Sequence, residues 1–151
     1  MTKSRSSTNM VTCYSPKLAY NGYTLFSLFG ECCIWLIDMN GRFVHNWDVP
    51  YTPACYGKLL PNGNLLYAGK AVDPALPFGG IGGHLIELTW DGEIVWEYED
   101  PYMHHDFSRL PNGNTMVLRF VPTPPELHDK IKGGIPGTER DGVIWADSFR
   151  E

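Results

Sequence analysis

His104, His105 and Asp106 put three proton-transfer groups into three consecutive residues, shortly before the run Leu110-Pro111-Asn112-Gly113-Asn114. An imidazole is a neutral nucleophile near pH 7 and can pass a proton to a departing phenolate. As a cation it also stabilises anionic oxygens that develop charge. Neighbouring side chains on a strand face opposite ways, so His104 and Asp106 are expected on one face and His105 and Phe107 on the other. Three readings stay open: a reactive group lining a channel, a structural group bonding the backbone near a tight turn, and a metal site. The metal reading suffers because adjacent strand residues diverge, and His45, His84 and His128 lie outside any ligand spacing such as H-x-x-x-H. Arg109 and Arg119 are the nearest cations able to hold an anionic substrate, with a solvated strand position as the ordinary alternative for each.

These residues sit in a repeat. Asn40-Gly41, Trp47, Pro50-Tyr51 and Leu60-Pro61-Asn62-Gly63-Asn64 return as Asp91-Gly92, Trp96, Pro101-Tyr102 and Leu110-Pro111-Asn112-Gly113-Asn114. The offset is 51 from Gly41 to Gly92 and 50 from Pro61 to Pro111. A strand-rich repeat of about 50 residues is the mark of a β-propeller blade. Asn-Gly and Asp-Gly suit type I′ hairpin turns, and Ile94, Trp96 and Tyr98 alternate with Val95, Glu97 and Glu99 as a half-buried strand does. The expected fold is all-β, built of four-stranded antiparallel blades. Residues 1–19 form a polar segment, and residues 20–151 a partial propeller of about two and a half blades. Its blade-like repeats are 32–69 and 83–121, and a third unit opens at 143–151. Each repeat is expected to be one sheet, joined by Pro- and Gly-rich connectors at 70–83 and 122–142, with Pro122 to Pro125 excluding a helix. Where the second copy has His104-His105-Asp106 the first has Ala54-Cys55-Tyr56, so the triplet is not what builds a blade. Propellers close with four to eight blades, so a second chain or further blades are expected to complete this one. An unpaired strand edge makes the isolated chain marginal or oligomeric.

The 151 residues are 43% hydrophobic and 19% charged with a net charge of −5, a balance that gives no reason to expect nucleic-acid binding. No signal-peptide core follows the polar start, and the apolar stretch from Tyr23 to Ile37 is interrupted at Gly30-Glu31, so a cytoplasmic protein without a membrane span is expected. Cys13, Cys32, Cys33 and Cys55 lack C-x-x-C spacing and read as free buried thiols. Phe78-Gly79-Gly80-Ile81-Gly82-Gly83 lacks the helix and the Lys-Ser/Thr of a phosphate loop and reads as a flexible connector. No cofactor is expected. Trp47, Trp96 and Trp145 read as packing aromatics.

Several stretches together resemble arylsulfotransferase-like proteins. They are Gly22-Tyr23-Thr24-Leu25-Phe26, Leu36 to Gly41 with Val44-His45-Asn46-Trp47, and Val95-Trp96-Glu97-Tyr98 with His104-His105-Asp106-Phe107 and the Leu110 to Asn114 turn. Gly134-Ile135-Pro136-Gly137-Thr138 with Asp141-Gly142-Val143-Ile144-Trp145 is similar to that family as well. The resemblance runs from about Tyr20 to the end and corresponds to the front portion of such a protein. It implies a six-bladed propeller that moves a sulfuryl group from an aryl sulfate to a phenol without a nucleotide donor, using channel histidines and an arginine on the sulfate oxygens. His105 is the residue the motif carries over, with His104 second; the transiently sulfated histidine would fall beyond Glu151. The alternative expectation is a non-catalytic propeller that binds a ligand or a protein.

Overall fold

The computed structural model describes residues 11–76, 79–133 and 142–151. The chain is all-β. Strands β1 (Tyr23–Ser27), β2 (Cys33–Asp38) and β3 (Phe43–Asp48) make a first antiparallel sheet in that order. The second sheet runs β4 (Pro53–Leu59), β5 (Leu65–Lys70), β6 (Gly83–Leu88), β7 (Ile94–Glu99), and the third has β9 (Thr115–Pro122) between β8 (Met103–Arg109) and β10 (Trp145–Arg150). None of the three sheets closes on itself.

The sequence repeat and the sheet are out of phase. Instead of forming one sheet, residues 83–121 place β6 and β7 in the second sheet and β8 and β9 in the third. Residues 32–69 are likewise divided between the first and second sheets. The crossover comes at Pro50-Tyr51 and at Pro101-Tyr102, where proline supplies no N–H to continue a ladder. At the second crossover Asp100 turns the chain: its Oδ1 accepts from the Tyr102 N–H at 3.0 Å and its carbonyl from the Met103 N–H at 3.0 Å.

The hairpin turns also differ from expectation. In the Asn62-Gly63 and Asn112-Gly113 turns only the glycine is left-handed, at φ 87 and 88. A type I′ turn needs positive φ at both central residues, so these are turns with a single glycine bulge. The second Asn of each motif has its own task. Asn64 Nδ2 donates to Glu87 Oε1 at 2.7 Å, and Asn114 Nδ2 donates to Glu151 Oε1 at 2.8 Å. A glutamate on the neighbouring strand (Glu87 of β6) or just past it (Glu151 after β10) thus fixes each turn, which gives the Leu-Pro-Asn-Gly-Asn motif a structural cause.

The second sheet is covered on both sides. Leu65, Tyr67, Ile86 and Leu88 face Ile34, Leu36 and Trp47 of the first sheet, while Leu66, Ala68 and Leu85 face Met103, Phe107 and Val117 of the third. A strand buried on both faces reads as an unbroken apolar run, as β5 does. The connector 122–142 holds a 3-10 helix, Pro125–Lys130, in the place where proline was expected to forbid one. Pro125 sits in its first turn, where a missing N–H costs nothing. Residues 1–10 of the polar segment, Pro77 and Phe78, and residues 134–141, which hold the Gly134 to Thr138 motif and Asp141, lie outside the described residues. Leu85 has no solvent exposure, so Leu85→Ala is expected to lower unfolding free energy by about 2–5 kcal/mol, measured by urea titration with the m-value held.

Candidate functional site

The pairing of β8 with β9 skips between Met103 and Phe107, and that of β4 with β5 skips between Pro53 and Gly57, the corresponding position one repeat earlier. Such a bulge breaks the alternation of a strand. Among the described residues His105 is the one non-glycine residue with positive φ, at 52°. The outcome corrects the expected faces. His104 turns inward and is 3% exposed, whereas His105 and Asp106 are both exposed.

The two imidazoles are coupled. His104 Nδ1 lies 2.9 Å from His105 Nδ1 with the rings edge to face. One ring donates and the other accepts, so a single proton serves both nitrogens. His104 stacks on Phe120 at 3.8 Å between centroids. Its Nε2 is 3.4 Å from Asp147 Oδ1, outside hydrogen-bond geometry. Burial lowers the His104 pKa, the proximity of His105 lowers it further, and Asp147 only partly opposes them. His104 is therefore a neutral acceptor or donor, and His105 is the imidazole that solvent reaches.

The glycine-rich connector is docked on this pair rather than loose. Ile81 bridges to His104, Gly82 donates to the Met103 carbonyl at 2.9 Å, and the His105 N–H donates to the Gly80 carbonyl at 2.8 Å. Gly80 has φ 73, and a Cβ there would come within 2.3 Å of His105 Nε2. Only glycine lets the connector approach the imidazole edge so closely.

Asp106 reaches across to the neighbouring sheet. Its carboxylate accepts the Tyr56 hydroxyl and, at 2.8 Å, the Phe107 N–H. The Tyr56 bond, then the Phe107 N–H and the Lys58 charge, hold Asp106 below the usual carboxylate range against its partial burial. Burial first, then Asp106, push Tyr56 up to about 12. Tyr56 also stacks on Phe107 at 4.9 Å, and Lys58 Nζ donates to the Phe107 carbonyl at 3.1 Å. A small cavity of about 190 Å³ opens here, lined by Lys58, Asp106, Ser108 and Phe149 among others. Tyr56 and Lys58 were not singled out from the sequence, although the repeat offset aligns Tyr56 with Asp106. Cys55, aligned with His105, is exposed, and burial together with the Asp106 charge raises its thiol, so it is not an activated nucleophile. Cys13 and Cys32 are exposed as well; of the four thiols expected to be buried, Cys33 alone is.

Arg109 and Arg119 are half-buried and paired, and Arg109 also lines a cavity of about 420 Å³ with Trp96, Tyr98 and Arg150. Arg109 donates to Glu87 Oε2 at 2.7 Å and lies over the Trp96 ring. Arg119 donates from Nε to Asp100 Oδ2 at 2.7 Å, and Asp100 is 3% exposed. Burial pushes Asp100 up, but Arg119, the Tyr102 N–H and the Tyr98 hydroxyl outweigh it and keep the carboxyl below its ordinary range. Both cations thus hold carboxylates at the junction of the second and third sheets. Of the packing tryptophans, Trp47 is 1% exposed and donates to the Thr89 carbonyl at 3.0 Å. Trp145 stacks on Tyr102 at 5.4 Å.

Among the described residues no three His, Cys, Asp or Glu side chains gather to hold a metal ion, and no helix is long and apolar enough to cross a membrane. Comparison with protein-family models, curated proteins and solved structures finds no match to this chain.

Arg119→Met removes the nearer of the two guanidinium partners of buried Asp100 and leaves Arg150 at 3.6 Å, so it is expected to destabilise by about 1–3 kcal/mol, read from chemical denaturation. A second expectation concerns pH. With its folded pKa lowered, His104 stays neutral where the unfolded imidazole, at 6.5, takes up a proton. The unfolded state then binds more protons, so stability falls as pH drops through that value. His104→Phe is expected to flatten this part of the melting-temperature profile, and an unchanged slope would contradict the assignment.

Proposed function

We propose that the three sheets are consecutive blades of a β-propeller, with β4 and β8 facing its channel, and that the chain is the front part of an arylsulfotransferase-like protein. The observation that carries this reading is His105: an exposed imidazole on a left-handed bulge, with Nδ1 held 2.9 Å from a buried neutral histidine. β4 and β8 are the edge strands of their sheets and lie against each other, as channel strands of adjacent blades do. In the reaction the aryl S–O bond breaks and its electron pair leaves on the phenolate oxygen. His105 delivers the proton that neutralises it and recovers one from the acceptor phenol as that hydroxyl takes the sulfuryl group, while His104 holds the ring. The sulfuryl group passes to a histidine carried by a later blade, as the resemblance implies, and then to the acceptor phenol. Asp106, bonded to Tyr56, fixes the bulge beside the reacting group. The substrates are a small aryl sulfate and a phenol; no cofactor is called for.

A second reading, a propeller that binds aromatic anions without turning them over, is favoured by one observation. Arg109 and Arg119, the cations that the reaction would use on sulfate oxygens, are already bonded to Glu87 and Asp100. In that case Lys58, exposed and close enough to act on the Asp106 carboxylate, is a cation that an anion can reach.

The test is transfer from 4-nitrophenyl sulfate to phenol by the protein carrying all its blades, followed by nitrophenolate release. His105→Asn is expected to lower the rate by about 10²–10⁴-fold, the usual contribution of one acid–base group, and His104→Phe by less. Binding of the donor without nitrophenolate release selects the second reading. Full turnover by His105→Asn overturns the catalytic one.

A further inference from the structure

The proton between the two imidazoles can sit in either of two arrangements. In the first, His105 Nδ1–H donates to a lone pair on His104 Nδ1; His104 then carries its own hydrogen on Nε2, and His105 presents Nε2 as a lone pair. In the second, His104 Nδ1–H donates, His104 Nε2 becomes a lone pair and His105 holds its hydrogen on Nε2. The surroundings are not indifferent between them.

His104 Nε2 is a buried nitrogen without a hydrogen-bond partner among the described residues, and Asp147 Oδ1 of β10 stands 3.4 Å from it. In the second arrangement a lone pair would face that carboxylate, acceptor against acceptor. In the first an N–H faces it, and the charge attracts it even without hydrogen-bond alignment. Asp147 and His105 are the two groups whose charges act on His104, so no other charge opposes this preference.

The chemistry of His105 asks for the same arrangement. An imidazolium carries a hydrogen on both nitrogens. His105 can therefore take up a proton and keep its bond to His104 only where His104 Nδ1 is the acceptor, which places the His104 hydrogen on Nε2, opposite Asp147. Gly80 agrees, since a Cβ there would come within 2.3 Å of His105 Nε2; the missing side chain clears the nitrogen that this arrangement leaves free.

We infer that Asp147 is a positioning residue: it fixes His104 as the Nε2–H tautomer, which holds His105 by its Nδ1–H and leaves His105 Nε2 as the atom where the proton of the reaction comes and goes. Asp147 acts through His104 and touches no reacting atom. Its part in turnover rests on the acid–base reading of His105, whereas the arrangement of hydrogens does not, so the two fail separately.

The experiment is nitrogen-15 spectroscopy of the histidine rings in the protein carrying all its blades, above the imidazole titration range, where both rings are neutral. Signals are assigned by their loss in His104→Phe and His105→Asn. His105 is expected as the Nδ1–H tautomer and His104 as the Nε2–H tautomer. In Asp147→Ala the Nδ1–H form of His105 is expected to lose its majority, and kcat to fall with KM unchanged. The Asp147 side chain is 66% exposed, so the fold is expected to survive its loss; the wild-type spectrum in any case decides the arrangement without a variant. An Nε2–H His105 in the wild type, or tautomers that Asp147→Ala leaves as they were, overturns the inference whatever the transfer assay gives. Tautomers that shift while kcat holds overturn the positioning role. The expected spectra in a protein that transfers no sulfuryl group uphold the arrangement and overturn the acid–base reading alone.

Discussion

Asp100 is the joint on which the arrangement turns. A carboxylate this buried is costly unless it is paired and hydrogen-bonded. Here its partners come from β7 through Tyr98, from the crossover through the Tyr102 N–H, from β9 through Arg119 and, at 3.6 Å, from β10 through Arg150. Satisfying one charge thus requires the end of the second sheet and two strands of the third to be in place together. The same residue turns the chain out of the second sheet and starts β8, so the position of the histidine pair follows from it. Glu87 repeats the logic nearby, bonding Arg109 of β8 and Asn64 of the turn before β5.

The sequence is legible where the physics is local. Alternation and Asn-Gly or Asp-Gly pairs mark nearly every strand, and the offset between Gly41 and Gly92 is plain in the sequence. What it does not mark is phase. Whether β7 pairs with β8 or parts from it depends on a buried aspartate and a proline, and the repeat looks the same in either case. The turn type was misread for a related reason: Asn-Gly permits a type I′ geometry, but the second Asn of the motif draws the turn towards a neighbouring glutamate that lies more than twenty residues away in sequence.

The site was legible in its composition and not in its geometry. His104-His105-Asp106 is conspicuous in the sequence, yet a strand argument assigns its faces wrongly because it has no means of foreseeing the bulge. The equivalent register shift in β4, with Ala54, Cys55 and Tyr56, makes the bulge a property of the strand framework rather than of the histidines. The framework is shared and the chemistry varies upon it. Arg109 and Arg119 illustrate the converse, since charge near a site says little until its partners are known. The glycine-rich connector reads as flexible from sequence because glycine is permissive; here that permissiveness serves close approach, with Gly80 lying against an imidazole edge.

The bond between Tyr56 and Asp106 joins the same position of two successive repeats. At that position one segment carries a donor and the next an acceptor, so neither can stand in for the other. The array has thereby acquired a direction and a fixed order. A recombinant that exchanged the two segments, or duplicated one of them, would keep every turn and packing residue and still set phenol against phenol or carboxylate against carboxylate along the row. Modularity in this chain ends at that pair.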